Sequence, residues 1–203
     1  AQENWCPTSV ERNQAQMKLP YVVHDRFNHL RMDNRFAVHH TFVRRPNYYA
    51  IFNAGEIIYE TQRHGVGLVW HPVMGSLIQT QSRETGPWGT ANNGNVYEAD
   101  SFQTLIKADG KTFCPTPGKH DLPDGEVVFE YALRSAGKKM VRFGEDQIEV
   151  TVEHTGAFVE HLPLLIREGD DLDSSGGQLR LRRAGGSMMI VCGSEVEIAM
   201  HST

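Results

Sequence analysis

Residues 147–153 read Gln147-Ile148-Glu149-Val150-Thr151-Val152-Glu153, polar and apolar in strict turn. Side chains along a strand point alternately to opposite faces, so Ile148, Val150 and Val152 belong against a core and their neighbours in water. The same period of two recurs in Gln178-Leu179-Arg180-Leu181-Arg182 and in Glu195-Val196-Glu197-Ile198. It recurs again where Phe36, Val38, His40 and Phe42 alternate with Ala37, His39, Thr41 and Val43. Here the phase assigns His40 to the apolar face, as a hydrogen-bonded core histidine, and turns His39 outward. Further strands are expected at 48–53, 56–60, 66–71, 76–81, 102–107, 126–134, 138–144, 157–167 and 187–192.

Short Gly-bearing segments punctuate these runs: Asn53-Ala54-Gly55, Ser135-Ala136-Gly137, Gly144-Glu145-Asp146 and Ala184-Gly185-Gly186. Many short strands joined by hairpin turns, with no helix between them, specify an all-β antiparallel β-sandwich, a supersandwich-like meander. One short N-terminal helix is expected over Ser9–Lys18, from the capping-box spacing of Thr8 and Glu11, with Pro20 ending the segment. The expected organisation is an N-terminal segment 1–34 with that helix and a sandwich over 35–203. Residues 82–101 and 108–125 read as long irregular loops, the kind that more often carry function.

The chain has 203 residues, 39% of them hydrophobic and 9% aromatic, enough for a core that hides roughly 70% of the extended-chain surface. A net charge of −5 and a pI near 6.1 argue against a dedicated nucleic-acid binder, which carries a basic footprint. No apolar run is long enough to span a membrane as a helix. Cys6, Cys114 and Cys192 form no CxxC pair; one disulfide among them is conceivable, but the pairing is open. The chain opens on Ala1 instead of Met, as expected of a processed secreted protein or a piece of a longer one.

Charge is unevenly spread. Between His24 and His71 stand Arg26, Arg31, Arg35, Arg44, Arg45 and Arg63 against Asp25, Asp33, Glu56 and Glu60, together with six of the ten histidines. A locally basic, His- and Tyr-rich sheet face is where an anionic ligand is expected; solvated arginines on a wet strand face are the simpler alternative. Tyr59, Arg63 and His64, with His71 beyond the next strand, offer a phenol, a cation and two bases. Those are the groups that proton abstraction beside a carboxylate requires. They are expected to line one concave region, with the strands 56–60 and 66–71 paired so that Tyr59 approaches Val66 or Gly67. Trp88 lies in the loop Gly86-Pro87-Trp88-Gly89, where it either stacks on a sugar ring or pins the loop to the sandwich. Tyr49 and Arg45 complete the candidate substrate-binding set.

Other chemistries find no support. HExxH and GxSxG are absent, and His39-His40 cannot chelate one ion from an alternating strand. The run Asp171-Leu172-Asp173-Ser174-Ser175-Gly176 imitates the start of a calcium loop, but Arg182 stands where the bidentate Glu belongs, so an acidic hairpin turn is expected. Gly65 and Gly67 are expected to serve a bulge or a close backbone approach, because no helix follows them. Neither a metal nor an organic cofactor is called for.

Three stretches carry a family likeness: Tyr48-Tyr49-Ala50-Ile51-Phe52-Asn53, Gly67-Leu68-Val69-Trp70-His71-Pro72-Val73-Met74-Gly75, and His154-Thr155-Gly156-Ala157-Phe158-Val159-Glu160-His161-Leu162-Pro163-Leu164. Together they resemble the C-terminal β-sandwich of bacterial polysaccharide lyases and heparinase II/III-like proteins. The resemblance implies a helical toroid ahead of the sandwich in the parent protein, a cleft between the two, and a periplasmic or secreted location. In that family the toroid supplies a Tyr and the sandwich can supply a His, for which His64 and His71 are the best-placed positions. The expectation is an ancillary domain that binds an acidic polysaccharide or oligosaccharide without cleaving it alone. A self-sufficient lyase, with Tyr59 or Tyr49 as acid and His64 or His71 as base, and a structural sandwich without ligand are the alternatives.

Overall fold

A computed structural model describes residues 10–11, 14, 24–33, 38–55, 65–80, 88–91, 100–133 and 137–193, with side chains omitted for 100–103. The larger sheet has the strand order β5 (Gly75–Gln79), β4 (Gly65–His71), β3 (Tyr48–Gly55), β2 (Val38–Arg45), β1 (Phe27–Met32) and β9 (Gly118–Leu122). The second runs β12 (Ile148–His154), β11 (Gly137–Phe143), β10 (Val127–Leu133), β7 (Asp100–Ala108) and β8 (Lys111–Phe113). A ribbon of β6 (Gly89–Ala91) with β13 (Val159–His161) and a three-stranded sheet of β14 (Asp171–Ser175), β15 (Gln178–Arg183) and β16 (Gly186–Val191) complete the described fold. All ladders between these strands are antiparallel. The fold is the expected all-β sandwich. Of the expected helix, Val10, Glu11 and Gln14 are helical, and its other residues lie outside the described ones.

The core forms where the two main sheets face each other. Phe52 of β3 stacks on Phe129 of β10 at 4.0 Å between ring centroids, and Phe143 of β11 meets both rings edge-on. Val43, Ala50, Phe52, Ile106, Val127, Phe129 and Phe143 are wholly shielded from solvent. A polar clasp closes one end. The buried Arg45 guanidinium donates to the carbonyls of Arg44 at 2.7 Å, Phe27 at 3.3 Å and Gly125, while the Asn28 amide donates to those of Pro123 and Gly125. The Tyr48 hydroxyl donates to Gly144 O at 2.6 Å. Pro123 and Gly125 lie in the connection from β9 to β10, and Gly144 in the β11–β12 turn, so three side chains of the first sheet hold loops of the second.

The three-stranded sheet is fastened by another arginine. Arg183, 7% exposed at its side chain, makes a bidentate pair with Asp170, 2% exposed. It also donates to Met74 O, Ser76 O and Leu165 O. The Arg183 contact and the Arg167 amide hold the Asp170 carboxyl down at about 2.

Several expectations need correction. The phase of β2 is inverted: His39, Thr41, Val43 and Arg45 are buried, and His40, Phe42 and Arg44 are half-buried on the other face. Apolar residues stand on both faces of this strand, so its period could not choose between them. β1 precedes residue 35, so the sandwich starts ahead of the expected boundary, and β8 and β9 occupy part of the expected loop 108–125. Only Leu122 of β9 is buried, so β9 carries no alternation to read, and its strand geometry comes from pairing with β1. Residues 157–167 contain only the short β13; Leu164 then makes an isolated bridge to Ile78. Residues 171–175 are strand β14, and the turn follows at Gly176 and Gly177, both with positive φ. Val66 stands opposite Phe52, with β3 and β5 on the two edges of β4; Tyr59, expected beside Val66 or Gly67, lies outside the described residues. The 56–60 and 195–198 strands lie outside the described residues.

Gly67 does serve a bulge. Leu68 faces Ile51 and Val66 faces Phe52, leaving Gly67 as the extra residue. A Cβ there would lie 2.8 Å from Asn53 Nδ2, and Asn53 is the partner of His40 at 2.7 Å.

Two stability measurements follow from this packing. Phe52→Ala removes the ring stacked between the sheets and lowers unfolding free energy by about 3–5 kcal/mol, read as a reduced denaturant midpoint. His39 is buried, and desolvation, helped by the neighbouring His40, lowers its pKa from 6.5 to about 4. Its neutral form therefore supports the fold fully above pH 6.5. Acidification from there to pH 4 removes about 3 kcal/mol, and His39→Leu flattens that limb of a stability-versus-pH curve.

Candidate functional site

Strand alternation sends a second set of residues to the face of the larger sheet that points away from the core. One row across the strands is Phe27, Arg44, Tyr49 and Trp70; the next is His29, Phe42, Ile51 and Leu68. A third holds Arg31, His40 and Asn53, with Lys119 of β9 beside Arg31. Apart from the exposed Arg31 and Lys119, these side chains are half-buried. Phe27 and Tyr49 meet edge-on at 6.5 Å, His29 and Phe42 lie 6.4 Å apart, and the Arg44 guanidinium sits over the Trp70 ring at 5.6 Å. His29 pairs with the largely exposed Asp121 at 2.7 Å. Among the described residues Arg44 has no carboxylate partner, and its buried Nη1 finds no acceptor. Aromatic rings and partly satisfied cations thus share one surface.

The outward face of the other main sheet differs. Lys107 pairs with Glu130, Lys138 with Glu153, and Arg142 with Glu126 and Glu149. An open depression of about 410 Å³ at its edge is lined by Gly137, Lys138, Glu153, His154 and Thr155. Its lysine already has its counter-ion. Cross-strand pairing leaves each of these three cations with at least one carboxylate, four in all.

The sequence-derived candidates separate on inspection. Tyr59, Arg63 and His64 lie outside the described residues, so the expected cluster with His71 has only its last member in view. Tyr49 is on the aromatic face. Arg45 is 1% exposed and its donors are committed to main-chain carbonyls, which removes it from any ligand. His71 closes the β4–β5 turn: its Nδ1 accepts the amides of Val73 at 3.1 Å and Met74 at 3.2 Å. Partial burial and the Arg44 charge lower its pKa. A neutral imidazole whose Nδ1 accepts must carry its proton on Nε2, so His71 is a donor here and lacks the free acceptor that a general base needs.

Trp88 is the loop anchor and not an exposed stacking surface. It is 9% exposed, and its indole N–H donates to Glu160 Oε1 at 2.7 Å. The second carboxylate oxygen accepts from Thr90 at 2.8 Å, and Lys139 reaches Glu160 at 2.5 Å and Thr90 at 3.3 Å. Lys139 is the inward-facing member of Lys138-Lys139 on β11, opposite Tyr131 and Val152. Two adjacent lysines in a strand must place one on each face, and that signal could have exposed the buried cation. Arg44, Phe42 and Trp70 were equally within reach once the phase of β2 was known.

Comparison with family models, with curated proteins and with solved structures finds no match for this chain. Among the described residues no group of three or more His, Cys, Asp or Glu is arranged to hold a metal ion, and no helix is long and apolar enough to cross a membrane. Cys114 and Cys192 are free thiols; Cys6 lies outside the described residues.

The two lysine–glutamate pairs of β11 allow a direct comparison. Glu160→Ala strands the buried Lys139 ammonium and costs about 3–5 kcal/mol. Glu153→Ala, removing an exposed partner of Lys138, stays within about 1 kcal/mol. Chemical denaturation followed by tryptophan fluorescence distinguishes the two.

Proposed function

We propose that this chain is an ancillary β-sandwich domain of a polysaccharide-degrading, lyase-like bacterial protein, and that it binds an acidic glycan on the outward face of the larger sheet. The observation that carries this reading is the contrast between the two outward faces. One has its lysines and its arginine paired with carboxylates. The other presents Phe27, Tyr49, Trp70 and Phe42 beside Arg31, Arg44, His29 and His40. Sugar rings have apolar C–H faces that pack on aromatic side chains, and carboxylates or sulfates along a glycan pair with guanidinium groups. The mixture favours a ligand that is both ring-bearing and anionic.

Binding fits this surface better than cleavage. β-Elimination needs a base with a free acceptor near an acid, and the described candidate, His71, has its acceptor nitrogen occupied by two amides. The wider attribution, to a protein carrying a helical toroid and exported to the periplasm or beyond, rests on the family resemblance in the three quoted stretches and is part of the proposal. A sandwich with no ligand accounts for Arg45 and Trp88, but it gives no reason for an aromatic and cationic outward face.

Affinity electrophoresis and calorimetry against polygalacturonate, alginate, hyaluronate and heparin test the proposal. Retardation by at least one polymer is expected, weakening with added salt. Tyr49→Ala and Trp70→Ala each reduce affinity about tenfold, while Lys107→Ala and Lys138→Ala leave it unchanged. Failure to bind any of the four polymers, or equal binding by the Trp70 variant, overturns it.

A further inference from the structure

Several of the described arginines other than Arg44 are committed within the fold. Arg26, Arg142, Arg182 and Arg183 have carboxylate partners, and Arg45 is spent on carbonyls. Arg44 has a half-buried position, a tryptophan face at 5.6 Å, and a shielded Nη1 with no acceptor. A guanidinium partly withdrawn from water and left without a counter-ion is under-compensated, and an arriving anion gains more from it than from a hydrated lysine. Its neighbours in the same cross-strand row are Phe27 on one side and Tyr49 then Trp70 on the other. Adjacent strands lie about 4.8 Å apart, so this row spans roughly 14 Å over four strands. A chain laid across the strands meets aromatic, cation, aromatic and aromatic in that order.

We infer that Arg44, held over Trp70, is the selectivity-determining residue of this face, seating the carboxylate of a uronate whose neighbouring rings pack on Tyr49 and Trp70. The inference rests on the glycan-binding reading and adds the ligand class and the residue that reads it. Glycan length comes from the aromatic row; discrimination between acidic and uncharged sugar comes from Arg44. The neighbouring charged or titratable groups are Arg31 and Lys119 in the third row, His29 hydrogen-bonded to Asp121, and His71 at the end of β4. Arg31 and Lys119 are exposed, where screening limits them to a general attraction.

The test compares polygalacturonate with its fully methyl-esterified form, which keeps the sugar and loses the charge, and with poly-glutamate, which keeps the carboxylates and loses the sugar. Wild-type protein should prefer polygalacturonate to both. Arg44→Gln should lower affinity for polygalacturonate about tenfold or more, leave the ester nearly unchanged, and so collapse the preference. Arg44→Lys, which retains charge without the planar stack, should recover part of it, and an unchanged melting temperature in either variant separates recognition from folding. An acid-to-ester preference that survives Arg44→Gln, while Trp70→Ala still weakens binding, overturns the role of Arg44 and keeps the glycan-binding face. Tighter binding to poly-glutamate overturns the uronate assignment in favour of an acidic peptide. No binding of either pectin by wild-type protein overturns the ligand class itself.

Discussion

The stack of Phe52 on Phe129 is the contact on which the two-sheet architecture turns. Phe52 is on the central part of one sheet and Phe129 on the middle strand of the other, and Phe143 packs edge-on to both. Aromatic rings bury more area than any aliphatic side chain and prefer offset or edge geometries, so this trio sets how far apart the sheets sit and which residues face inward. Everything on the far side of each strand is then assigned to the outside. The half-buried row of Phe27, Arg44, Tyr49 and Trp70 is the direct consequence of placing Val43, Ala50 and Val69 inside.

Buried polar groups divide into two kinds around that core. Arg45, Asn28, Tyr48 and Arg183 are committed to main-chain carbonyls or to Asp170, and their energy goes into fixing loops and docking the three-stranded sheet. The Lys139–Glu160–Thr90–Trp88 network does the same for the β6–β13 ribbon. Such groups are expensive to leave unpaired, and each of these donors has an acceptor. Among the described residues Arg44 Nη1 finds no acceptor, and Asn28 Oδ1, His39 Nδ1, Thr41 Oγ1 and Arg142 Nε are likewise without a hydrogen-bond partner. A satisfied buried cation is architecture, whereas a half-buried one lacking an acceptor is open to a ligand.

The family resemblance and the geometry bear on different parts of the functional reading. Similarity in the quoted stretches supplies the idea of a lyase-associated sandwich. The ligand class in the proposal comes from the surface, whose aromatic rings and guanidinium groups suit an anionic, ring-bearing polymer. For His71 the geometry is specific: the turn it orders also occupies its Nδ1 with two main-chain amides.

Fold class and most strand positions were legible in the chain alone, because period-two alternation and Gly-bearing turns are local properties. Residues 147–153, 138–144 and 178–182 needed no partner to be read as strands. The excess of cations and aromatics between His24 and His71 was legible too, and the described strands within it, β1 to β4, lie in one sheet. Which face of that sheet carries them was not, because Phe42 and Val43 are equally apolar and only contact with Phe129 and its neighbours decides which turns inward. β9 was invisible for a related reason: Gly118-Lys119-His120-Asp121-Leu122 is a strand only because β1 offers it an edge. Arg45, Trp88 and Arg44 look alike in sequence as functional candidates. Tertiary structure alone separated them, since the first two reach acceptors 80 and 72 residues away, while among the described residues none is found for Arg44 Nη1.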